Sequence, residues 1–244
     1  MIEAKQVSKS FGNRKVLQKL DLSLQHGEIV ALVGLNGIGK TTLIRTLCGL
    51  CQTDSGAIFM DGVRFSQDTP ALRTNIGVVL HSTMLYPNLT CRENLEFYAN
   101  LYCLEMKKTR VSELLTRFNL EARANDKVRT LSRGLQQRLS IARALLHHPR
   151  YLFMDEVFSG LDQHSLSDLN KIVNDQASDG NAVLFSTHEI DKIFSIATRV
   201  IILHQGAIKY SSPVIDLSPQ KFVETYSAVT ERSILPLNEL GVGL

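Results

Sequence analysis

The sequence contains no tryptophan, only four cysteines and no long apolar segment. Its longest apolar runs, 29–33 and 200–203, have the length of β-strands and are too short to cross a bilayer. The first residues show no basic region followed by an apolar one, so we expect neither a membrane span nor a secretion signal. So few cysteines do not make a disulfide framework in a chain of 244 residues, which favours a reducing cytoplasm.

The sequence also lacks a large excess of charge of either sign. Lys and Arg number 27 against 24 Asp and Glu, which gives a formal net charge of +3 without any basic block. This balance does not match the basic surfaces that follow nucleic-acid phosphates, so we expect no nucleic-acid partner. Hydrophobic residues make up 44% of the chain, enough to fill a core, which excludes a disordered protein.

The apolar pattern predicts one composite domain over 1–212, of class α/β. Short β-type runs separated by turn residues occupy 2–30 and 56–66 and predict antiparallel structure. From 90 to 147 the apolar residues recur with helical spacing. Strands that alternate with helices predict a parallel sheet covered on both faces. These strands are 29–33, 151–154, 182–186 and 200–203. The remaining segment, 213–244, is interpreted as a C-terminal tail with one helix.

A glycine-rich segment follows the strand at 29–33 and precedes a helix predicted from about 40 to 50. It reads G-L-N-G-I-G-K-T-T and matches the motif G-x-x-x-x-G-K-[ST], whose backbone N–H groups surround phosphates. Lys40 is expected to reach the β- and γ-phosphates of a nucleotide, and the Thr41 hydroxyl to bind Mg²⁺. A glycine-rich turn with a chance lysine is the alternative. The segment's predicted nucleotide-binding residues are Gly34, Asn36, Gly37, Gly39, Lys40, Thr41 and Thr42.

Two carboxylates follow the apolar run 151–154. Because ligands collect at the carboxyl ends of parallel strands, Asp155 is predicted to hold Mg²⁺ together with Thr41, either directly or through water. Glu156 is predicted to act as the general base that polarises the attacking water, and Lys40 completes the predicted catalytic set with a histidine considered below. The alternative is a solvated acidic pair that caps the next helix.

A third segment, 131–138, reads L-S-R-G-L-Q-Q-R and resembles the signature L-S-G-G-Q-Q-Q-R of the ATP-binding cassette (ABC) family. With the two preceding motifs in the expected order, residues 2–212 resemble the ATP-binding subunit of an ABC transporter. The resemblance implies a P-loop NTPase (RecA-like) fold. Its parts would be a parallel-sheet core, an antiparallel β-subdomain and a helical signature subdomain inserted at about 88–147.

The resemblance also implies roles for residues outside the phosphate loop. Two subunits would stack head to tail, so that Ser132 and Gly134 of one close over the ATP bound by the other. Asp162, in the segment 159–162, matches a loop that lines this interface. His188 matches the histidine that contacts the γ-phosphate and the catalytic water, which assigns it a catalytic role. Phe11 matches the aromatic residue that stacks on adenine.

The sequence departs from the family pattern at several of these positions. His81 stands where glutamine is usual; it is assigned to the nucleotide site, but imidazole favours softer metals than Mg²⁺. Direct Mg²⁺ ligation by His81 and coupling through it to a membrane partner therefore both stay open. Arg133 and Leu135 replace glycine and glutamine in the signature, and Val157 replaces the proline that commonly follows the catalytic glutamate.

These residues predict an ATPase that uses ATP and Mg²⁺ to close and open a dimer, either of identical or of different subunits. The motion would pass to separate transmembrane permease subunits, through a docking surface near 81–110, at the cytoplasmic face of the inner or plasma membrane. Two alternatives are a non-transport ABC protein of the DNA-repair or translation class and a regulatory nucleotide-binding subunit with little turnover.

A narrower resemblance concerns the cargo. The segments 76–81, 85–86 and 93–98, together with the signature, are similar to the ATPase subunits of haem exporters in cytochrome c maturation. The same elements occur in drug and polysaccharide exporters, and lipids are a further cargo class. The expected activity is thus ATP hydrolysis for an exporter, with haem as the narrower candidate.

Overall fold

The computed structural model describes residues 1–66, 69–158 and 163–231. Within these ranges the strands and helices alternate through most of the chain, as the periodicity predicts. The strands are β1 (Ile2–Phe11), β2 (Arg14–Leu24), β3 (Ile29–Val33), β4 (Ser55–Met60), β5 (Val63–Phe65), β6 (Ile76–Val79), β7 (Tyr151–Asp155), β8 (Ala182–Ser186), β9 (Arg199–His204) and β10 (Ala207–Pro213). The helices are α1 (Lys40–Leu47), α2 (Cys91–Leu101), α3 (Lys107–Arg117), α4 (Arg133–Leu145), α5 (Gln163–Ser178), α6 (Ile190–Ile196) and α7 (Pro219–Glu231).

The larger sheet has six strands in the order β10-β9-β3-β8-β7-β6. All of its neighbouring pairs are parallel except β9 and β10, which form an antiparallel edge. The predicted parallel sheet is present, and β10 extends it by one antiparallel strand. Because β3, β8 and β7 are neighbours, the loops that follow these strands meet at one edge of the sheet.

Both faces of this sheet are buried, which explains why its central strands are apolar throughout. Along β7, Tyr151 and Phe153 pack on the face that carries α1, whereas Leu152 and Met154 pack on the opposite face. Successive side chains of a strand point to opposite faces, so a strand covered on both sides needs apolar residues at every position. This burial fixes the carboxyl end of β7, where Asp155 lies.

A smaller antiparallel sheet, in the order β2-β1-β4-β5, covers the face that carries α1. The hairpin of β1 and β2 pairs Phe11 with Arg14 across a two-residue turn in which Gly12 has a φ of +57°. A positive φ is the geometry that short hairpin turns require, and glycine adopts it without strain. The turn thereby places Phe11 and Arg14 at the tip of the hairpin.

Three helices, α2, α3 and α4, lie between β6 and β7, in the segment for which helical spacing was predicted. Thr90 caps α2: its side chain accepts from the Glu93 amide while the Glu93 side chain accepts from the Thr90 amide. Such a capping box satisfies two amides that a helix start leaves without partners. None of the helices in the described ranges is long and apolar enough to cross a membrane.

Helix α1 ends earlier than the sequence predicts, and a further helix, α7, lies near the C-terminal end of the described chain. Helix α1 ends at Leu47 rather than near residue 50, because Gly49 adopts a φ of +70° that terminates the helix. At the C-terminal end of the described chain, α7 packs through the buried Phe222, whose ring centroid lies 6.1 Å from that of Phe194. A helix is therefore present within 213–244, as expected.

Candidate functional site

The glycine-rich loop between β3 and α1 has a conformation that only glycine fits at two points. A side chain at Gly34 would place its Cβ 2.6 Å from the Leu203 carbonyl oxygen. Gly39 has a φ of +121°, and a Cβ there would lie 2.9 Å from Val16. The loop is thus held closely between β9 and β2, and the first turn of α1 follows directly at Lys40. This is the strand, loop and helix arrangement that directs backbone amides at a phosphate.

Lys40 is the most buried cation of the site, with only 5% of its surface exposed. Its Nζ donates to the Gly34 carbonyl at 2.8 Å and to the Leu35 carbonyl at 3.3 Å, and it lies 3.7 Å from a Glu156 carboxylate oxygen. These contacts hold the ammonium over the loop. An anion placed against the loop would meet a positive charge that is already desolvated and oriented.

Thr41 and Asp155 lie together although α1 and β7 are far apart in sequence. The Thr41 hydroxyl donates to Asp155 Oδ2 at 2.7 Å, and the Ser186 hydroxyl donates to Asp155 Oδ1, also at 2.7 Å. Asp155 is only 3% exposed. The parallel register pairs Asp155 with Ser186, so the ends of β7 and β8 place both side chains at the same edge.

The donor set at Asp155 fits Mg²⁺. A carboxylate and a hydroxyl are the hard oxygen ligands that Mg²⁺ prefers, and Mg²⁺ commonly uses one or two protein ligands besides substrate phosphates. Among the described residues, no lysine, arginine or histidine nitrogen pairs with the buried Asp155 carboxylate, and no group of three or more His, Cys, Asp or Glu could hold a metal. A buried carboxylate bonded only to neutral hydroxyls gains from a cation.

Glu156 follows Asp155 in the loop after β7, with 34% of its side chain exposed. Its φ is +53°, and its amide donates to the Ser186 hydroxyl at 2.9 Å. One carboxylate oxygen lies 3.7 Å from Lys40 Nζ. A half-exposed carboxylate in this position has the access to water that a general base needs.

These groups line one open cleft of 590 Å³. Besides the loop residues, the cleft contains two predicted side chains from other elements: Phe11, which is 55% exposed, and His81, which is exposed just after β6. The lining residues are Phe11, Arg14, Val16, Asn36, Gly37, Gly39, Lys40, Thr41, Thr42, Arg45, Leu80, His81, Asp155 and Glu156. The cleft thus offers an aromatic ring at one end and carboxylates near the phosphate loop.

Sequence reasoning missed two residues of this site. Arg14 donates to the Gly37 carbonyl at 2.7 Å, which ties the tip of the β1–β2 hairpin to the phosphate loop. Ser186 bonds to Asp155 and to the Glu156 amide. The signal for Ser186 was present, since the sequence predicted parallel strands that end at residues 154 and 186, and the ends of such strands meet.

Four predicted residues of the described ranges do not line this cleft: Gly34, which lies against the Leu203 carbonyl, Ser132, Gly134 and His188. Ser132 is the exposed N-cap of α4, and its hydroxyl accepts from the Leu135 amide at 3.4 Å. No atom lies within 4 Å of the position that a Cβ at Gly134 would occupy, so this surface is open. His188 is exposed after β8. Asp162 lies outside the described residues.

Comparison with known protein sequences places these motifs in a broader context. A sequence model of the ABC transporter family matches residues 17–159. The chain is 36% identical over 204 residues to the uncharacterized ABC transporter ATP-binding protein YdbJ of Bacillus subtilis (strain 168), covering 83% of this chain and 66% of YdbJ. It is 35% identical over 209 residues to the linearmycin resistance ATP-binding protein LnrL of the same strain, covering 84% and 67%.

The spermidine/putrescine import ATP-binding protein PotA of Pasteurella multocida (strain Pm70) is 34% identical over 227 residues, which cover 92% of this chain and 60% of PotA. The chain therefore spans about two thirds or less of the length of these curated relatives.

Two solved structures share the fold over nearly their whole length. The structure described as the ATP-binding subunit of an ABC transporter superposes with a TM-score of 0.86 at 30% identity, covering 94% of this chain and 99% of that one. A dimeric post-hydrolysis state of the ATP-binding cassette MJ0796, bound to ADP and Pi, gives a TM-score of 0.80 at 28% identity, covering 88% and 99%. These superpositions confirm the predicted fold, with its parallel-sheet core and antiparallel β-subdomain.

Proposed function

The chain belongs to the ABC transporter family as an ATP-binding member, and on that premise we propose that it binds ATP with Mg²⁺ and hydrolyses it to power transport through separate membrane subunits. The observation that carries the proposal is the convergence of Lys40, Thr41, Asp155 and Glu156 on one cleft. A buried ammonium, an oxygen donor pair for a metal and a solvent-facing carboxylate are the groups that hydrolysis of a phosphoanhydride requires.

Each group of the cleft has a distinct task. The loop amides and Lys40 bind the β- and γ-phosphates, while the ring of Phe11 stacks on adenine. Thr41 and Asp155 would hold Mg²⁺, which would supply positive charge to neutralise the phosphates. Glu156 accepts the proton of the water that attacks the γ-phosphate, a contribution of about 10²–10⁴ in rate.

The surface around Ser132 and Gly134 supports a head-to-tail dimer. Both residues are exposed at the start of α4 and lie outside the lining of their own chain's cleft, so they are available to the nucleotide of a second subunit. The first turn of a helix offers unpaired amides to an anion. The MJ0796 cassette forms a dimer, which agrees with this arrangement. Asp162 and His188 complete the proposed shared site as the family resemblance implies.

A cluster of exposed aromatic side chains supports the proposed docking surface for a permease. Tyr86 and Phe97 are exposed, with ring centroids 4.8 Å apart, and Phe97 lies 5.4 Å from Tyr98. Exposed aromatic groups are typical of protein interfaces. The cluster lies within 81–110, the segment in which the docking surface was predicted. Docking on a permease places the subunit at the cytoplasmic face of the membrane.

The cargo depends on the membrane partner. The named relatives are a linearmycin resistance protein and a spermidine/putrescine import protein, and these names favour neither one cargo nor one direction. Export of haem for cytochrome c biogenesis is one candidate. Its only support is the similarity of the signature and of the segments 76–81, 85–86 and 93–98 to haem-exporter ATPase subunits. Export of a drug, lipid or polysaccharide is the broader candidate.

The test uses a Glu156→Gln variant, which keeps the side-chain volume but cannot accept the proton. We expect it to bind ATP with Mg²⁺, to lose turnover and to accumulate as an ATP-dependent dimer. Glu224→Gln, an exposed change on α7, is the matched control and should hydrolyse ATP like the wild type. Unchanged turnover of Glu156→Gln would remove Glu156 from the mechanism.

Partners are identified by affinity purification of the tagged Glu156→Gln subunit with ATP and Mg²⁺ from detergent-solubilised native membranes. A polytopic membrane protein among the recovered partners is the expected result, and a haem spectrum in the sample would select the haem candidate. Recovery of soluble or nucleic-acid-bound partners alone would instead support the non-transport alternative. Glu224→Gln without ATP serves as the background sample.

A further inference from the structure

Ser186 is a polar residue at a position where the sheet needs none. Along β8, residues 182 to 185 are Ala, Val, Leu and Phe, all fully buried, and Ser186 at the end of the strand is also 0% exposed. Burying a hydroxyl is unfavourable unless it finds partners. The buried hydroxyl of Ser186 therefore needs hydrogen-bond partners at this position.

The Ser186 hydroxyl makes two such bonds, to two groups of the site. It donates to Asp155 Oδ1 at 2.7 Å, and it accepts from the Glu156 amide at 2.9 Å. Asp155 Oδ2 bonds to Thr41, so both carboxylate oxygens have a hydroxyl partner and the plane of the carboxylate is fixed. Without Ser186, the carboxylate could rotate about its last side-chain bond.

The bond to Glu156 acts on the backbone. Glu156 has a φ of +53°, a left-handed conformation that is unfavourable for a residue with a Cβ. Such a conformation persists only where the surroundings hold it, and the Ser186 hydroxyl holds the amide of this residue. The direction of the Glu156 side chain, from the loop after β7 toward Lys40, thus depends on a residue of the next strand.

Ser186 is itself held in place from the other side of β8. Its strand pairs with β3 in parallel, with Leu32 opposite Ser186, and the amide of the following residue, Thr187, donates to the Leu32 carbonyl at 3.2 Å. Since β3 leads directly into the phosphate loop, the hydroxyl has a fixed position relative to that loop. The Ser186 hydroxyl can therefore hold the groups of Asp155 and Glu156 in a fixed position relative to that loop.

We propose that Ser186 is a positioning residue, which orients the Asp155 carboxylate for Mg²⁺ and holds the Glu156 backbone so that the metal ligand and the general base keep one relative geometry. This inference rests on the proposed function and extends it to a residue that does not touch the nucleotide. Groups that bond to a metal ligand typically change metal affinity or activity by about 10- to 100-fold when they are removed.

The test measures metal-dependent binding without hydrolysis. The dissociation constant of a non-hydrolysable ATP analogue is determined with and without Mg²⁺, and the ratio of the two constants is the gain due to the metal. For Ser186→Ala, we expect this gain to fall by about 10- to 100-fold. The constant without Mg²⁺ should stay at the wild-type value, because Lys40 and the loop are unaltered.

Ser140→Ala is the matched control, because Ser140 is also 0% exposed and its hydroxyl donates to a backbone carbonyl, that of Thr83, at 3.0 Å. It should lose folding stability in the same way but keep the full gain from Mg²⁺. Ser186→Cys keeps the shape of the side chain with a larger terminal atom and weakens both hydrogen bonds, and it replaces Ser186→Ala in the same measurement if the alanine variant does not fold.

The outcomes separate this inference from the proposed function. A wild-type gain from Mg²⁺ that both Ser186 variants retain would overturn the positioning role and leave the ATPase intact. An equal loss in Ser140→Ala would show a general effect of destabilisation and would overturn it as well. If the wild type itself binds no analogue, the proposed function fails first.

Discussion

The hydroxyl of Thr41 lies 2.7 Å from a carboxylate oxygen of Asp155, although 114 residues separate the two in sequence. The contact joins the first turn of α1, which follows the glycine-rich loop, to the end of β7, which leads into Glu156. The Thr41 oxygen keeps lone pairs for a metal ion while its O–H donates to Asp155. The two side chains are therefore close enough that one ion could be held by both, directly or through water.

The first prediction concerns the charge of Asp155. Asp155→Asn keeps the size of the side chain but removes the negative charge, so Mg²⁺ should no longer increase the affinity for an ATP analogue. ATP turnover should fall by at least about 100-fold, the upper end of the cost of losing an outer-shell group. Binding with and without Mg²⁺ and steady-state hydrolysis test both statements. Asp216→Asn, at an exposed position, is the control, and full Mg²⁺ dependence in Asp155→Asn would contradict the assignment.

Much of this site could be predicted because its residues follow from local sequence patterns. The phosphate loop is continuous in sequence, so its glycines, Lys40 and Thr41 can be recognised from their spacing. Asp155 and Glu156 end an apolar run, which marks the carboxyl end of a buried strand. The fold class followed in the same way, from strands that alternate with helices.

The remainder depends on contacts between distant segments, which no local pattern records. The sequence predicted parallel strands that end at residues 154 and 186 but not their order in the sheet, so Ser186 was not recognised as the partner of Asp155. Arg14 was missed for the same reason, because its carbonyl partner at Gly37 belongs to another element. The roles predicted for Ser132 and His188 involve a second subunit and a bound nucleotide. The structure of one chain does not test these roles, so they stay predictions.

The second prediction concerns Lys40. Lys40→Met keeps an unbranched chain but removes the ammonium that bonds to the carbonyls of Gly34 and Leu35. Hydrogen bonds to charged groups contribute about 1.5–3 kcal/mol, so affinity for ATP should fall by about 10- to 100-fold. Isothermal titration calorimetry measures the loss. Lys221→Met, an exposed change on α7, should bind like the wild type, and equal affinity of the two variants would refute the role of Lys40.

The third prediction separates stacking from chemistry. Phe11 is half exposed at the hairpin tip, with the Lys9 ammonium 5.4 Å from its ring centroid, so its removal should cost little folding stability. Stacking of a base on an aromatic ring contributes about 1–3 kcal/mol. Phe11→Ala should therefore raise KM for ATP by roughly 5- to 150-fold, with kcat unchanged, whereas Phe11→Tyr should keep both values. Steady-state kinetics decides, and a fall in kcat alone would argue against stacking.

The fourth prediction is a pH dependence of stability that originates at His147. Burial lowers the pKa of this residue to about 4, and the neighbouring charge of Arg143 acts in the same direction. Its Nε2–H donates to the Ile76 carbonyl at 2.9 Å, and its ring stacks on Tyr102 at a centroid distance of 3.8 Å. The folded protein thus contains a neutral imidazole.

An unfolded chain binds a proton at His147 below a pH of about 6.5, whereas the folded chain does so only near 4. Between these values the unfolded state binds more protons, so the free energy of unfolding should fall as the pH is lowered, by at most about 3 kcal/mol. Urea unfolding of wild type and His147→Gln at pH 7 and pH 5 measures the difference. The glutamine variant should lose less stability on acidification, and parallel losses would contradict the prediction; His188→Gln, at an exposed position, is the control.

The last prediction uses Gly134 to separate the monomer from the dimer. Gly134 is the second residue of α4, its φ is not positive, and no atom lies within 4 Å of the place of an added Cβ. Alanine there should stabilise the monomer by up to about 1 kcal/mol, the difference in helix propensity between alanine and glycine. If this surface closes over the nucleotide of a second subunit, the methyl group added by Gly134→Ala lies between the start of α4 and that nucleotide and hinders their contact. In a Glu156→Gln background, ATP-dependent dimerisation should then weaken while thermal stability rises.

Asn174→Ala, an exposed change within α5, raises helix propensity in the same way and should leave the dimer unaffected. Thermal unfolding gives the stability of each monomer, and size-exclusion chromatography with ATP gives the dimer fraction. The two effects of Gly134→Ala have opposite signs, so general damage to the fold cannot produce both. A dimer fraction equal to that of Asn174→Ala would show that the start of α4 does not face the partner's nucleotide.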